Sequence, residues 1–183
     1  VHITELGEPA FLGMAFNAAS EADLGVISEL DGASDVLDND KPCGGKKVIL
    51  TDPDGLKVEI IHGINKLEAI PVKEVTPFNS GSRRRRVGPI VRSYPRPSQI
   101  KRLGHIVLRC GDFKGWEEFY RNKLGMLVSD FLYRGEEDNP GDNAAEFLRC
   151  NRGQEYTDHH TILVPDADEA GLAHVAFEVQ DWN

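Results

Sequence analysis

At 183 residues, 40% hydrophobic and 28% charged, the chain has the make-up of a globular protein with room for one or two cores. A net charge of −9 argues against a general nucleic-acid or membrane-surface binder, and no apolar run has the length of a membrane span or the form of a signal peptide. Three cysteines, Cys43, Cys110 and Cys150, are read as reduced thiols packed as small hydrophobes, which fits a reducing, cytoplasmic setting.

In chain order, FLGMAFN (11–17) has the alternation of a strand. Ser20 is placed as the N-cap of a short amphipathic helix over EADLGVISEL (21–30), and a loop rich in Asp, Asn and Gly follows at 31–45. KKVILTD (46–52), a DPDG turn (52–55) and LKVEIIH (56–62) make a hairpin. This part therefore reads strand, helix, loop, strand, strand. Residues 64–99 break the pattern with Pro71, Pro77, Pro89, Pro95 and Pro97 and the run Arg83–Arg86; they are read as an inter-domain linker. The arginines are taken as a solvated stretch pairing with the chain's own acidic surface, with a nuclear signal or phosphate-binding patch as the alternative.

After the linker, RLGHIVLRC (102–110) is a strand. Asp112 is the cap of a helix over 113–125 that sets Phe113, Trp116, Phe119, Tyr120 and Leu124 on one side. MLVSDFLYR (126–134), AAEFLRC (144–150) and HHTILVP (159–165) are three further strands, separated by polar loops. LAHVAFEVQDWN (172–183) then begins another unit.

Two of these segments are the same phrase. LGHIVLRCGDF (103–113) and LAHVAFEVQDW (172–182) align without a gap: His105 falls on His174, Asp112 on Asp181 and Phe113 on Trp182. FLGMAFNAASE (11–21) is a looser third copy, with Gly13 at the histidine position and Ser20 at the aspartate position. Three related strand-plus-cap units indicate an internal repeat.

Alternate residues of a strand share a face, so His105 is grouped with Val107 and Arg109, and His174 with Ala176 and Glu178. If the units pair as their repetition predicts, two imidazoles converge across a cleft. With one carboxylate they would make a facial site suited to Fe(II). A single strand histidine reads first as a structural residue; two at one register of a repeat strengthen the metal reading. Glu59, on the last strand of the first unit, has Gly13 where its partner histidine would be and reads as a structural or rim residue. Of His159 and His160, adjacent on a predicted strand, at most one reaches the cleft, where it could exchange a proton near neutral pH.

DPDGLKVEI and GHIVLRCGDFKGWEEFYRNKLGM resemble the closing turn and the opening of the βαβββ module of the vicinal oxygen chelate superfamily. The resemblance implies an α+β fold of repeated modules, the glyoxalase/bleomycin-resistance/dioxygenase fold. HHTILVPDADEAGLAHVAF is similar to the narrower pattern of type I extradiol ring-cleavage dioxygenases. That likeness implies His105 and His174 as metal ligands, His159 as a neighbouring acid–base group with His160 as the alternative, and Fe(II) or alternatively Mn(II) as the metal. The expected substrates are a catechol-type aromatic diol and O₂; neither nucleic acid nor membrane is expected as a partner, and the parent is expected to be a homo-oligomer.

By the same likeness, residues 1–63 hold the second module of a metal-free N-terminal domain, 64–99 a linker, and 100–183 the third module and the start of the fourth. The module set is then incomplete at both ends, with the Glu ligand in the remainder of the fourth module. Val1 stands without an initiator Met, so either the Met was removed or the chain is a fragment, and the incomplete module set is read as an internal fragment. If a chain of this size were natural, Glu59 of a neighbouring copy would be the first candidate for the missing carboxylate. The alternatives are another enzyme of the superfamily, a glyoxalase-type isomerase or thiol transferase, and a metal-free small-molecule binding module.

Overall fold

The computed structural model describes residues 7–72, 79–88, 97–136 and 141–180; Val1, Pro77, Pro89, Pro95 and the Asp181–Trp182 pair of the repeat lie outside them. Strand β1 (Gly13–Asn17) leads through helix α1 (Glu21–Ser28) to a two-residue strand β2 (Leu37–Asp38) and then to β3 (Lys46–Thr51) and β4 (Lys57–His62). The sheet order is β1-β4-β3-β2, with β1 parallel to β4 and the other pairs antiparallel. Residues 31–45, expected to be loop alone, thus contribute β2. Its two exposed residues are too few to show an alternation, and pairing with Lys46 and Lys47 defines it.

Ser20 caps α1 with a reciprocal box: its hydroxyl accepts from the Asp23 N–H at 3.3 Å, and its own N–H donates to the Asp23 carboxylate at 2.8 Å. The DPDG turn is closed by Asp52, whose Oδ1 accepts from the backbone N–H groups of Asp54 and Leu56 at 3.0 and 2.8 Å. Gly55 takes the left-handed backbone that this turn demands.

The second half repeats the plan. Strand β5 (Ile100–Arg109) is followed by helix α2 (Phe113–Glu117), which widens into a π-helical stretch at Glu118–Lys123. Strands β6 (Leu127–Tyr133), β7 (Asn143–Arg149), β8 (Ile162–Pro165) and β9 (Gly171–Val179) complete it, in the order β6-β7-β8-β5-β9. Here too the first strand of the module lies parallel to its last, β5 beside β8. The fold is α+β, built on a βαβββ unit, and β9, which repeats the sequence frame of β5, lies antiparallel to it.

Two details differ from the expectation. The 113–125 helix is α-helical only to Glu117. Beyond it Leu124 N–H reaches back five residues to the Phe119 carbonyl at 3.0 Å, and the wider turn lets Phe119 and Tyr120, adjacent in sequence, both be buried. The strand expected at 159–165 starts only at Ile162, so His159 and His160 lie on the loop that enters it.

The two modules share one core. Leu24, Val48, Leu50 and Val58 of the first pack in the same cluster as Leu108, Trp116, Leu148 and Ile162 of the second. A polar tie crosses this core: Tyr120 Oη donates to Asp52 Oδ2 at 2.9 Å. Burial raises the Asp52 carboxyl above its usual range, and burial followed by the Asp52 charge raises the Tyr120 hydroxyl. The described residues between β4 and β5 form no helix or strand, and Arg83–Arg86 are exposed there. No helix among the described residues is long and apolar enough to cross a membrane.

Candidate metal centre

Strands β5 and β9 bring the two repeat histidines together. His105 pairs with Ala176 and Val107 with His174, so the imidazoles are diagonal neighbours on one face. Their Nε2 atoms approach to 3.5 Å, and the ring centroids are 5.6 Å apart. Two imidazole nitrogens bound to one ion at about 2.1 Å stand about 3.0–3.4 Å from each other, so this pair fits a common divalent cation with little movement. His174 is exposed and His105 half-buried, as an accessible site requires.

The entry loop of β8 brings His159 and His160 to the same place. The His160 ring lies 4.3 Å from that of His105, while His159 Nδ1 approaches His160 Nδ1 to 3.1 Å. Phe147 on β7 packs edge-on against both rings, at 5.3 Å from His159 and 5.0 Å from His160. Since neither histidine is in a strand, the expected alternation of faces does not separate them. It is His160, the alternative in the sequence reading, whose ring rests against His105.

Electrostatics favour neutral imidazoles here. Burial lowers the His105 pKa, and the neighbouring His174 lowers it further, against an opposing pull from Asp158. Burial also lowers that of His160, followed by the His105 and His159 rings. A neutral imidazole is the form that ligates a metal.

Four charged residues border the cluster and carry no mark in the sequence that groups them. Arg102 on β5 donates through both terminal nitrogens to Asp158, at 2.5 and 2.9 Å, and through Nε to Glu178 on β9 at 2.6 Å. Lys101 holds the other oxygen of Glu178 at 2.5 Å. Hydrogen bonds from Arg102 hold Asp158 below the usual carboxylate range, and bonds from Lys101 and Arg102 do the same for Glu178.

A third ligand is not assembled at this point: among the described residues no three His, Cys, Asp or Glu side chains are arranged to hold an ion. Glu59 lies in the other sheet, where its carboxylate is flanked by Lys57 Nζ at 3.3 Å and Lys47 Nζ at 3.6 Å. Its charge is balanced within its own module, with Lys47 shared with Asp40 at 2.8 Å.

Comparison with known proteins adds the following. Residues 102–183 match the model of the Glyoxalase/Bleomycin resistance protein/Dioxygenase superfamily. Metapyrocatechase 2 of Cupriavidus necator is 26% identical over 160 residues, covering 87% of this chain and 45% of that protein. The crystal structure of the Mn(II)-bound glyoxalase from Novosphingobium aromaticivorans shares the fold with a TM-score of 0.63 at 23% identity, over 89% of this chain and 44% of that one. Homoprotocatechuate 2,3-dioxygenase from Arthrobacter globiformis does so with a TM-score of 0.62 at 17% identity, over 92% and 45%. The chain thus spans about half the length of these relatives.

Proposed function

Because residues 102–183 match the model of the Glyoxalase/Bleomycin resistance protein/Dioxygenase superfamily, we propose that the whole protein is an extradiol dioxygenase, opening a catechol-type ring with O₂ beside its two hydroxyls. The observation that carries this reading is the convergence of His105 Nε2 and His174 Nε2 to 3.5 Å with the His160 ring centred 4.3 Å from that of His105 and tilted against it. The likeness to metapyrocatechase 2 supports it. In this reading His105 and His174 hold Fe(II), or Mn(II), and a carboxylate other than Glu59 completes the set. When bound, the metal supplies a Lewis acid that lowers the pKa of the substrate hydroxyls and offers an open position to O₂.

The protein's own groups have separate tasks. Two neutral imidazoles add no negative charge, so a deprotonated diol is tolerated beside them. His160 Nδ1 is engaged with His159 Nδ1 at 3.1 Å, which leaves its Nε2 to hold or pass a proton at the substrate oxygen. Phe147 backs both rings and keeps water from that side. His159, favoured by the sequence register, serves here as the partner that fixes the His160 tautomer. Residues 7–63 form the metal-free copy that supports this module through the shared core.

The test uses the full-length protein loaded anaerobically with Fe(II) and assayed with catechol for O₂ uptake and for the ring-opened semialdehyde. Uptake and semialdehyde are expected in equal amounts, and His174→Ala is expected to lose both bound iron and ring cleavage. Retention of both by that variant sinks the proposal. A glyoxalase-type isomerase would hold metal without consuming O₂, and a metal-free binding module would hold no stoichiometric metal.

A further inference from the structure

Resting on the proposed site, we propose that Arg102 is a positioning residue that fixes the His159–His160 loop against the histidine pair, and that its partner in doing so is Asp158. On its downstream side the loop is secured by backbone: Thr161 N–H donates to the Leu148 carbonyl at 2.7 Å, and Ile106 N–H to the Thr161 carbonyl at 3.1 Å. Upstream, residues 151–159 are exposed, and the described bonds of 151–155 stay inside that segment, as in Glu155 N–H to the Arg152 carbonyl. The histidines therefore sit between one firm anchor and a stretch that brings none of its own.

Arg102 supplies the second anchor. Its guanidinium spans three elements: the planar fork takes both oxygens of Asp158 on the loop, and Nε takes Glu178 on β9. That geometry is specific to arginine, since a lysine ammonium cannot present two parallel donors and a third at the side. Glu178 in turn is held by Lys101, so the fork is itself oriented. The backbone adds the placement. The β5–β9 register slips between Leu103 and His105, at Gly104, so Arg102 and His105, three residues apart, both address the same loop. Arg102 thus acts from the strand that carries the first candidate ligand, on the residue two before His160.

These charged groups are about half exposed, so the fork contributes little to global stability. Its effect falls on where His160 stands. That separates a positioning role from a structural one and sets the experiment.

Arg102→Met, Arg102→Lys, Asp158→Asn and the Arg102→Met/Asp158→Asn double variant are made in the full-length protein. The first arm needs neither metal nor turnover: in the metal-free protein, the NOE between the His105 and His160 ring protons is measured. It is expected to be strong in the wild type, lost in Arg102→Met and Asp158→Asn, and partly kept in Arg102→Lys. The second arm is steady-state kinetics on the iron-loaded protein. Each single variant is expected to lose about tenfold or more in kcat, with KM and iron content within about twofold of wild type, and the double variant is expected to be no worse than the poorer single.

An Arg102→Met protein that keeps both the NOE and kcat overturns the proposal. So does one in which iron, KM and unfolding midpoint fall together, or a double variant whose losses multiply. A wild type without ring cleavage would overturn the activity reading alone and leave the NOE arm to decide this one.

Discussion

The two sheets present the same scaffold with opposite contents. Aligning the buried pair Leu50–Val58 with Leu148–Ile162 puts Gly13 of the first module at His105 of the second, Lys47 at Ala145, Ile49 at Phe147 and Glu59 at Leu163. The first module has a carboxylate on this face and neutralises it with two ammonium groups; the second has imidazoles and places apolar side chains around them. Lys47, only 7% exposed, stands 3.6 Å from Glu59 while donating to Asp40 at 2.8 Å, so its positive charge is shared between the two carboxylates. One fold therefore yields a closed, self-neutralised face and an open, neutral-donor face, depending on which strand carries the histidine.

The sharpest way to break this comparison is Gly13→His, which gives the first module the residue of the second. Gly13 has a φ of +149°, and a Cβ there would stand 2.0 Å from the Lys57 carbonyl oxygen. The β1–β4 pairing would have to part to admit any side chain, so a loss of more than about 3 kcal/mol is expected, read as a drop in the urea midpoint. A variant of wild-type stability that binds Mn(II) in the first module would show that the backbone does not forbid the site there.

The helix-facing sides differ as well. The place of Val48 in the first core is taken in the second by Glu146, which has no exposed surface. Glu146 Oε1 accepts from Arg121 at 3.1 Å, while Oε2 has no hydrogen-bond partner among the described residues. Burial, followed by the adjacent Glu117 carboxylate, pushes the Glu146 pKa up to about 7 from the usual 4.5. With the folded-state value raised, the native protein binds more protons than the unfolded chain between pH 4.5 and 7, so stability falls as pH rises through that window. Glu146→Gln is expected to match the wild type near pH 4.5 and to exceed it by about 1–3 kcal/mol at pH 8, measured by urea unfolding at each pH. Equal stability at pH 8 would mean that Arg121 already compensates the buried charge.

How much of this could be read from the sequence follows from how local each feature is. The His105–His174 correspondence was legible because it rests on a repeated strand frame, and the 46–62 hairpin because its turn and alternation lie in consecutive residues. Strand β2 was not, since only cross-strand pairing defines it. The π-helical stretch was hidden because Trp116, Phe119 and Tyr120 share one side at either helical pitch. The choice between His159 and His160 could not be reached from strand periodicity, because both precede the strand and the side-chain bonds of their loop run to Arg102, more than fifty positions upstream. Three ordinary charges in the sequence, Arg102, Asp158 and Glu178, gave no signal until β5 and β9 were paired.

The smallest test of the comparison concerns the helix caps, which both modules keep. Ser20 and Asp112 occupy the same repeat position, each accepting from the backbone N–H three residues on, at 3.3 Å and 3.0 Å. Ser20→Ala leaves Asp23 in the first turn, where its carboxylate still takes the Ser20-position N–H and still faces the positive end of the helix. Asp112→Ala removes acceptor and charge together, and the first turn of α2 contains no other acidic residue. The expected costs are therefore about 0.5 kcal/mol for Ser20→Ala and about 1 kcal/mol for Asp112→Ala, read from urea unfolding at neutral pH. Raising the salt should narrow the gap, because only the Asp112 cap has a charge to screen. A larger loss at Ser20, or a gap indifferent to salt, would mean that the two caps do not work by the same physics despite their shared register.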